Sequence, residues 1–518
     1  MGRPGKRALV VIAVVAVAVV AVLASLASAS GPGRGKDARV AGRTAQAPAG
    51  TQLLYVGAAA RVHPIRAGFL GLSIEYPSVE DYAGTNPRAV NPVFLQLIRN
   101  LTPGQAPVLR IGGDSTDHTW WPLPGTPRPG GVRYSLSSRW LAVTRALAQT
   151  LGARLILGLN LEAGGSRIGR AEAQAFSAAL PRSSIAAFEP GNEPELYGTW
   201  TYYRARDGRK VKGRAADYSL GGFEHDFASA REVITSAPLA GPTTGSLEWM
   251  SQLGSFIASQ PHLRIVTLHR YPLQVCYFAR SNPRFPTIAN LLSPASSRGL
   301  ASLFAPAVRI AHAHGLPLRV DEMNTIGCGS DDRVAHTFAS ALWALDTLFA
   351  LAQQGVDGVN VHTYPHATYN LFNFASGGGR WYGQVAPEYY GLLAFATAAP
   401  PGAQPLNVSG PGAGILSAWA TRGPDGHTRV VLINEGSSAQ RIGIRGPGGT
   451  GFGSASLTRL SAPHLTSASG ISLGGQSFAP DTYTGQLQGS EQVEQIEPTG
   501  QTFVVDVAPG SAALVELP

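Results

Sequence analysis

Two glutamates stand where a pair of carboxyl groups can do chemistry. Glu193 lies in Pro190-Gly191-Asn192-Glu193-Pro194-Glu195 and Glu322 in Val320-Asp321-Glu322-Met323-Asn324, each at the polar end of a short apolar run. Two carboxyl groups facing one glycosidic bond can divide the work. One protonates the leaving oxygen and the other attacks the sugar carbon, an arrangement that needs a separation of about 5 Å. Alternation along a strand puts Val320, Glu322 and Asn324 on one face and Arg319 and Asp321 on the other, so a single acid of the adjacent pair should enter the cleft. Glu322 is the one expected inside, with Asp321 and Arg319 pairing behind it. Either glutamate alone reads equally well as a hydrogen-bonded structural acid, and it is the pair on two opposed strands that is specific.

The elements that must hold this pair repeat along the chain. Short apolar strands that end in polar residues alternate with helical stretches, and the strand candidates are 69–76, 107–111, 154–161, 185–191, 238–243, 265–271, 317–322 and 358–364. Eight parallel strands close a (β/α)8 TIM barrel, whose active site is built from the carboxyl ends of the strands. Glu193 then follows strand four and Glu322 ends strand seven, on opposite sides of the mouth. Helical spacing is clear over 138–151, which ends at Gly152, and over 336–354, which ends at Gly355. The fifth strand is the weakest, because its Gly and Pro weaken a ladder, and an open doubly wound sheet is the fallback.

The 518 residues exceed one ordinary domain, and 62 Gly with 38 Pro show no triplet period. Arg3, Lys6 and Arg7 precede an uncharged apolar stretch over 9–26 and a small-residue Ala27-Ser28-Ala29, so residues 1–29 read as a signal peptide or a retained N-terminal membrane anchor. Either places the folded part outside the cytoplasm, secreted or tethered. Residues 30–50 read as a flexible linker. A strand within 51–65 is expected to join a C-terminal all-β sandwich over 400–518, where strand-like runs are separated by Gly, Pro and Ser, and the barrel takes 66–399.

The formal charge of +9 suggests nucleic acid, but the first fifty residues hold seven Lys/Arg against one Asp, which leaves only +3 for the remainder. No nucleic-acid partner is therefore expected. One basic cluster survives: Arg204, Arg206, Arg209, Lys210, Lys212 and Arg214 surround the Asp207-Gly208 turn. It reads as a solvated hairpin or as a clamp for an acidic ligand beside Glu193.

Asn192-Glu193-Pro194 and Asp321-Glu322-Met323-Asn324 resemble glycoside hydrolase family 79, the β-glucuronidase and heparanase group of the clan A barrels. The resemblance runs through Leu72-Ser73-Ile74-Glu75-Tyr76, Leu109-Arg110-Ile111-Gly112-Gly113-Asp114-Ser115 and His269-Arg270-Tyr271-Pro272 to the appended sandwich. It implies Glu193 as acid/base, Glu322 as nucleophile and Asn192 as a contact to the sugar 2-hydroxyl. It also implies a tyrosine and glycine amides after strand eight as the donors for a uronate. That loop here reads His362-Thr363-Tyr364-Pro365-His366-Ala367-Thr368-Tyr369-Asn370, in which Tyr364 or Tyr369 can fill the tyrosine role but no glycine occurs.

The residues themselves are compatible with these roles. Arg110 and the Tyr271 hydroxyl would favour an ionised Glu322, while Glu193 must start protonated. Glu75 and Asp114 can bind sugar hydroxyls. Trp120 and Trp121 either stack on a sugar or pack in the core, and Tyr277 and Tyr364 have structural readings too. Cys276 and Cys328 follow strands six and seven, and in an exported protein a disulfide is the natural reading, which the resemblance shares.

The spacing of His362 and His366 resembles a metal site only superficially, because Pro365 interrupts it; no metal or cofactor is expected. The expectation is thus a retaining β-glucuronidase acting on a glucuronide or a uronic-acid-containing glycan. The alternatives are a clan A enzyme for a neutral xyloside or arabinoside, and a non-catalytic surface glycan-binding protein.

Overall fold

The computed structural model describes residues 48–164, 166–234, 237–410, 416–446 and 453–517. The expected signal or anchor, and nearly all of the linker, lie outside them. Among the described residues no helix is long and apolar enough to cross a membrane.

Eight parallel strands form a closed barrel: Leu70–Ile74, Val108–Ile111, Arg154–Leu159, Ile185–Pro190, Leu239–Thr244, Leu263–His269, Leu318–Met323 and Gly358–Thr363. Strands one, five, seven and eight are buried along their whole length, as expected for parallel strands covered on both faces. The fifth closes the ring despite Gly241-Pro242. It pairs with strand six through most of its length but with strand four only at Leu239 and Phe188, so its weak sequence costs contacts on one side without opening the sheet. This excludes the open doubly wound fallback.

Helix Ser138–Leu151 starts where the Ser137 hydroxyl accepts the Trp140 N–H and stops at Gly152 in the left-handed conformation. Helix Phe338–Gln353 is buried almost throughout, because it lies between the barrel and the second domain.

That second domain is built from one hydrogen-bonded path of strands folded over a common interior. The path includes Gln52–Ala59, which pairs antiparallel with Gln404–Ser409 and parallel with Gln440–Arg445. Alternation on Thr428–Asn434 shows why its apolar run is continuous: Val430 and Leu432 join the inner core of this domain, whereas Val431 and Ile433 join the core shared with the barrel. Trp419 Nε1 donates to Asp346 Oδ1 at 2.7 Å and the Arg298 guanidinium lies over the Trp419 ring, which fixes the two layers together. The strands Gln404–Ser409 and Gln440–Arg445 were not legible beforehand, since Gly and polar residues break their alternation.

Candidate active site

Arg110, on barrel strand two, is fully buried at the centre of the mouth. Its Nε donates to Glu189 Oε2 at 2.7 Å, Nη1 to Glu322 Oε2 at 2.5 Å and Nη2 to Asn192 Oδ1 at 2.8 Å, with Ser73 and Thr243 hydroxyls at 3.3 Å. Nε also lies 3.3 Å from Asp321 Oδ2. One side chain thus reaches strands one, four, five and seven.

The expected alternation on strand seven fails here. The pairing register shifts against strand six between Leu268 and His269, and against strand eight between Val320 and Met323. Such an irregularity re-aims side chains, and both Asp321 and Glu322 turn toward Arg110. Arg319 does not pair with Asp321. It bonds Asn360 Oδ1 and the Gly68 and Phe69 carbonyls instead.

The site's protonation follows from this crowding. Burial pushes the Asp321 carboxyl well above its usual range and the neighbouring Glu189 adds to it, more than offsetting Arg110. Glu189 is held below its usual range because Arg110, its bond with Asp321 and His269 outweigh burial. Burial also opposes ionisation of Glu322. The charges of His362, His269 and Arg110, with the Tyr271 hydroxyl donating to Oε1 at 2.9 Å, nevertheless hold it far below the carboxylate range.

Glu193 occupies the left-handed backbone region (φ 45°), which side-chain-bearing residues seldom adopt, and its N–H is pinned to the Thr243 carbonyl. His269 stands between the two glutamates, with Nδ1 3.3 Å from Glu193 Oε1 and 4.0 Å from Glu322 Oε2. One ligand atom from each of Glu193, His269 and Glu322 lies within 4.8 Å of the others. A cation held by these three would have to compete with the guanidinium already on Glu322.

Asn192 accepts from Arg110 through Oδ1, which turns its Nδ2 away to donate elsewhere. Glu75 accepts the Ser115 N–H and lies 3.4 Å from His362 Nε2. A Cβ on Gly113 would come within 2.5 Å of its carboxylate, so this turn requires glycine. Burial lowers and the charges of Glu322 and Glu75 raise the His362 imidazole, with a net rise. Asp114 is open to water yet set in a crowded acidic mouth. Desolvation, then the charges of Glu75, Glu193 and Glu322, push its carboxyl up to about 7, with the water at the mouth screening part of this. Tyr271, Tyr364 and Tyr369 form one aromatic wall, with Tyr364 edge-on to Tyr369.

Other expected residues lie elsewhere. Trp120 is buried with Val132, Ile168 and Tyr202 and donates to Ser135, and Trp121 packs partly against the main core, so the core reading holds for Trp120. Cys276 and Cys328 are bonded, linking the loops after strands six and seven. The basic hairpin forms from Tyr203–Arg204 and Lys210–Val211, but its root packs on the Trp120 side. Lys212 and Arg214 are occupied by the Gly198 carbonyl and by Asp226. Glu189 and Thr243 carry no sequence motif of their own, and Ser73, His269 and Asp321 stand in the motifs above without a role at the site. Their signal was there, since each lies in a strand candidate or at its polar end.

Fold and site together define a glycoside hydrolase of the (β/α)8 type. Residues 418–514 match the Glycosyl hydrolase family 79 C-terminal beta domain. A beta-glucuronidase of Neurospora crassa is 24% identical over 416 residues, 72% of each chain. Among solved structures, a 4-O-alpha-L-rhamnosyl-beta-D-glucuronidase from Fusarium oxysporum 12S superposes with TM-score 0.67 at 20% identity, covering 89% of this chain and 99% of its own. A GH51 arabinofuranosidase from Xanthomonas axonopodis pv. citri reaches 0.64 at 14% identity, covering 90% and 100%. The chain is a glycoside hydrolase whose C-terminal domain matches that of family 79.

Arg110→Met should leave Glu189 and Glu322 buried without their counter-charge and destabilise the protein by about 3–5 kcal/mol. Urea denaturation checks this, and an unchanged midpoint would show that the guanidinium does not balance these acids.

Proposed function

We propose that this protein is a retaining β-glucuronidase in which Glu322 attacks the anomeric carbon and Glu193 protonates the leaving oxygen. The observation that carries the reading is the approach of the two carboxyl groups, with an oxygen of each within 4.8 Å of the other. An inverting enzyme needs about 6.5–9.5 Å to seat a water between them, whereas direct attack needs about 5 Å. The settings of the two acids differ. Glu322 is held as the anion by Arg110, Tyr271 and the imidazoles, while Glu193 stands outside that network with a single imidazole contact at 3.3 Å.

Asn192, with its amide aimed by Arg110, can donate to the 2-hydroxyl, where a hydrogen bond strengthens as charge develops on the ring. Glu75, Asp114 and His362 face the remaining hydroxyls. A uronate carboxylate finds donors in the Tyr364 and Tyr369 hydroxyls. It also meets less repulsion than the number of acids suggests, because desolvation and the neighbouring carboxylates raise the Asp114 carboxyl and leave it partly neutral at mildly acidic pH. The glucuronidases among the similar proteins support this substrate. A neutral pentoside is the second reading, favoured by the absence of glycine from residues 364–370. The Cys276–Cys328 bond supports work in an oxidising compartment, in keeping with export.

A panel of aryl β-D-glucuronide, glucoside, xyloside and arabinoside tests the substrate. Hydrolysis of the glucuronide alone is expected, and hydrolysis of a neutral glycoside alone contradicts the proposal. Glu322→Gln should abolish turnover. Glu193→Ala should lose about 10²–10⁴-fold on a poor leaving group and far less on a dinitrophenyl glycoside, which leaves without protonation; equal losses on both would remove Glu193 from the acid role.

The pH dependence follows from Asp114. Raising pH from the ordinary carboxylate range up to about 7 ionises it, so an anionic substrate is repelled where a neutral one is not. The ratio of kcat/KM for a glucuronide to that for a glucoside should fall through this range, and Asp114→Asn should flatten the fall. A ratio that does not change with pH in the parent protein contradicts the assignment.

A further inference from the structure

Large aromatic side chains are mostly buried, so exposed ones that touch each other call for an explanation. Trp200 is 45% exposed and Tyr277 53%, and their rings lie 6.3 Å apart at 35°. They come from different loops. Trp200 follows the short turn Pro194–Leu196 that carries Glu193, and its N–H is anchored on the Leu196 carbonyl. Tyr277 adjoins Cys276, whose bond to Cys328 and whose neighbour Val275, donating to the Cys328 carbonyl, tie the loop after strand six to that after strand seven. Both rings are thus presented to water on pinned backbone.

Their position is on the Glu193 side of the mouth. The Tyr277 hydroxyl is raised by partial burial and by the charge of Glu193, and lowered by its bond with Trp200, so it lies within electrostatic reach of both. Between the two loops runs Gly245, where a Cβ would stand 3.3 Å from Glu193 Oε1; having no side chain, it leaves the space beside the carboxyl open. A proton delivered by Glu193 goes to the oxygen of the leaving group, so whatever is attached to that oxygen must leave the site past these residues.

We propose that Trp200 and Tyr277 form a leaving-group subsite that stacks on a ring attached through the scissile oxygen, either an aryl ring or the apolar face of a second sugar. The inference rests on the glycosidase reading above and adds which aglycones the enzyme prefers. A two-ring platform outside the glycone pocket rewards cyclic aglycones and gives nothing to a small alkyl group.

The test is to compare 4-nitrophenyl β-D-glucuronide, a glucuronosyl-glucose disaccharide and methyl β-D-glucuronide on the parent protein and on Trp200→Ala, Tyr277→Ala, Trp200→Phe and Tyr277→Phe. For the two ring-bearing substrates kcat/KM should fall about 10-fold in each alanine variant, with most of it restored in the phenylalanine variants. For the methyl glycoside it should change less than about twofold. A loss on the aryl substrate alone restricts the subsite to aryl aglycones and overturns the sugar half of the proposal, and the converse pattern overturns the aryl half. Equal losses on all three substrates, or none on either ring-bearing one, overturn the subsite. If the parent protein cleaves only neutral glycosides, the uronate reading fails by itself, and the same aryl-against-methyl comparison on the accepted sugar decides the subsite.

Discussion

A single buried guanidinium sets the terms for the rest of the site. Arg110 lies within contact of three carboxyl groups, Glu189, Asp321 and Glu322, and one positive charge cannot neutralise three anions out of water. The conflict eases because burial and the charge of Glu189 push the Asp321 carboxyl well above its usual range, while Glu189 is held below its own, which leaves Glu189 and Glu322 as the carboxylates facing Arg110 and the imidazoles. Glu322 is then an anion by construction, fixed through one oxygen by Arg110 and through the other by Tyr271. The same guanidinium orients Asn192, so the group expected to touch the sugar and the group expected to attack it share one anchor.

The barrel supplies this convergence and the second domain supports it. Groups from strands one, four, five and seven meet at Arg110 because strand ends converge at the barrel mouth. Helix Phe338–Gln353, which lies between strands seven and eight in the chain, is buried on its outer side by the sandwich through contacts such as Trp419 to Asp346. The appended domain is therefore part of the wall behind the nucleophile candidate, and the two share one hydrophobic core.

Much of this was legible in the sequence, and what was not has identifiable causes. The eight strands could be counted because runs buried on both faces are continuously apolar, and the two helices by their period, with Ser137 and Gly152 capping the first. The side of the barrel on which Glu193 and Glu322 fall followed from strand order alone. The pairing of Arg319 with Asp321 did not survive, because strand parity assumes an unbroken ladder and the ladder slips at these residues. The roles of His269 and Thr243 are not legible in sequence, since single polar residues at strand ends carry no mark of what they face until the barrel closes. Asp321 and Glu189 looked like ordinary acids for the same reason. Trp120 lies beside Asp114 and Asp117 in the chain but turns into a satellite core.

The central claim is that the carboxyl groups of Glu193 and Glu322 stand close enough for direct attack on the sugar and too close to seat the sugar's reacting carbon and an attacking water between them. Proton NMR of the first-formed sugar during hydrolysis of an aryl β-D-glucuronide tests this most directly. The proposed double displacement requires the β anomer to appear first and the α anomer to follow only by mutarotation. Initial release of the α anomer would mean that water attacks from the opposite face, and would contradict the account.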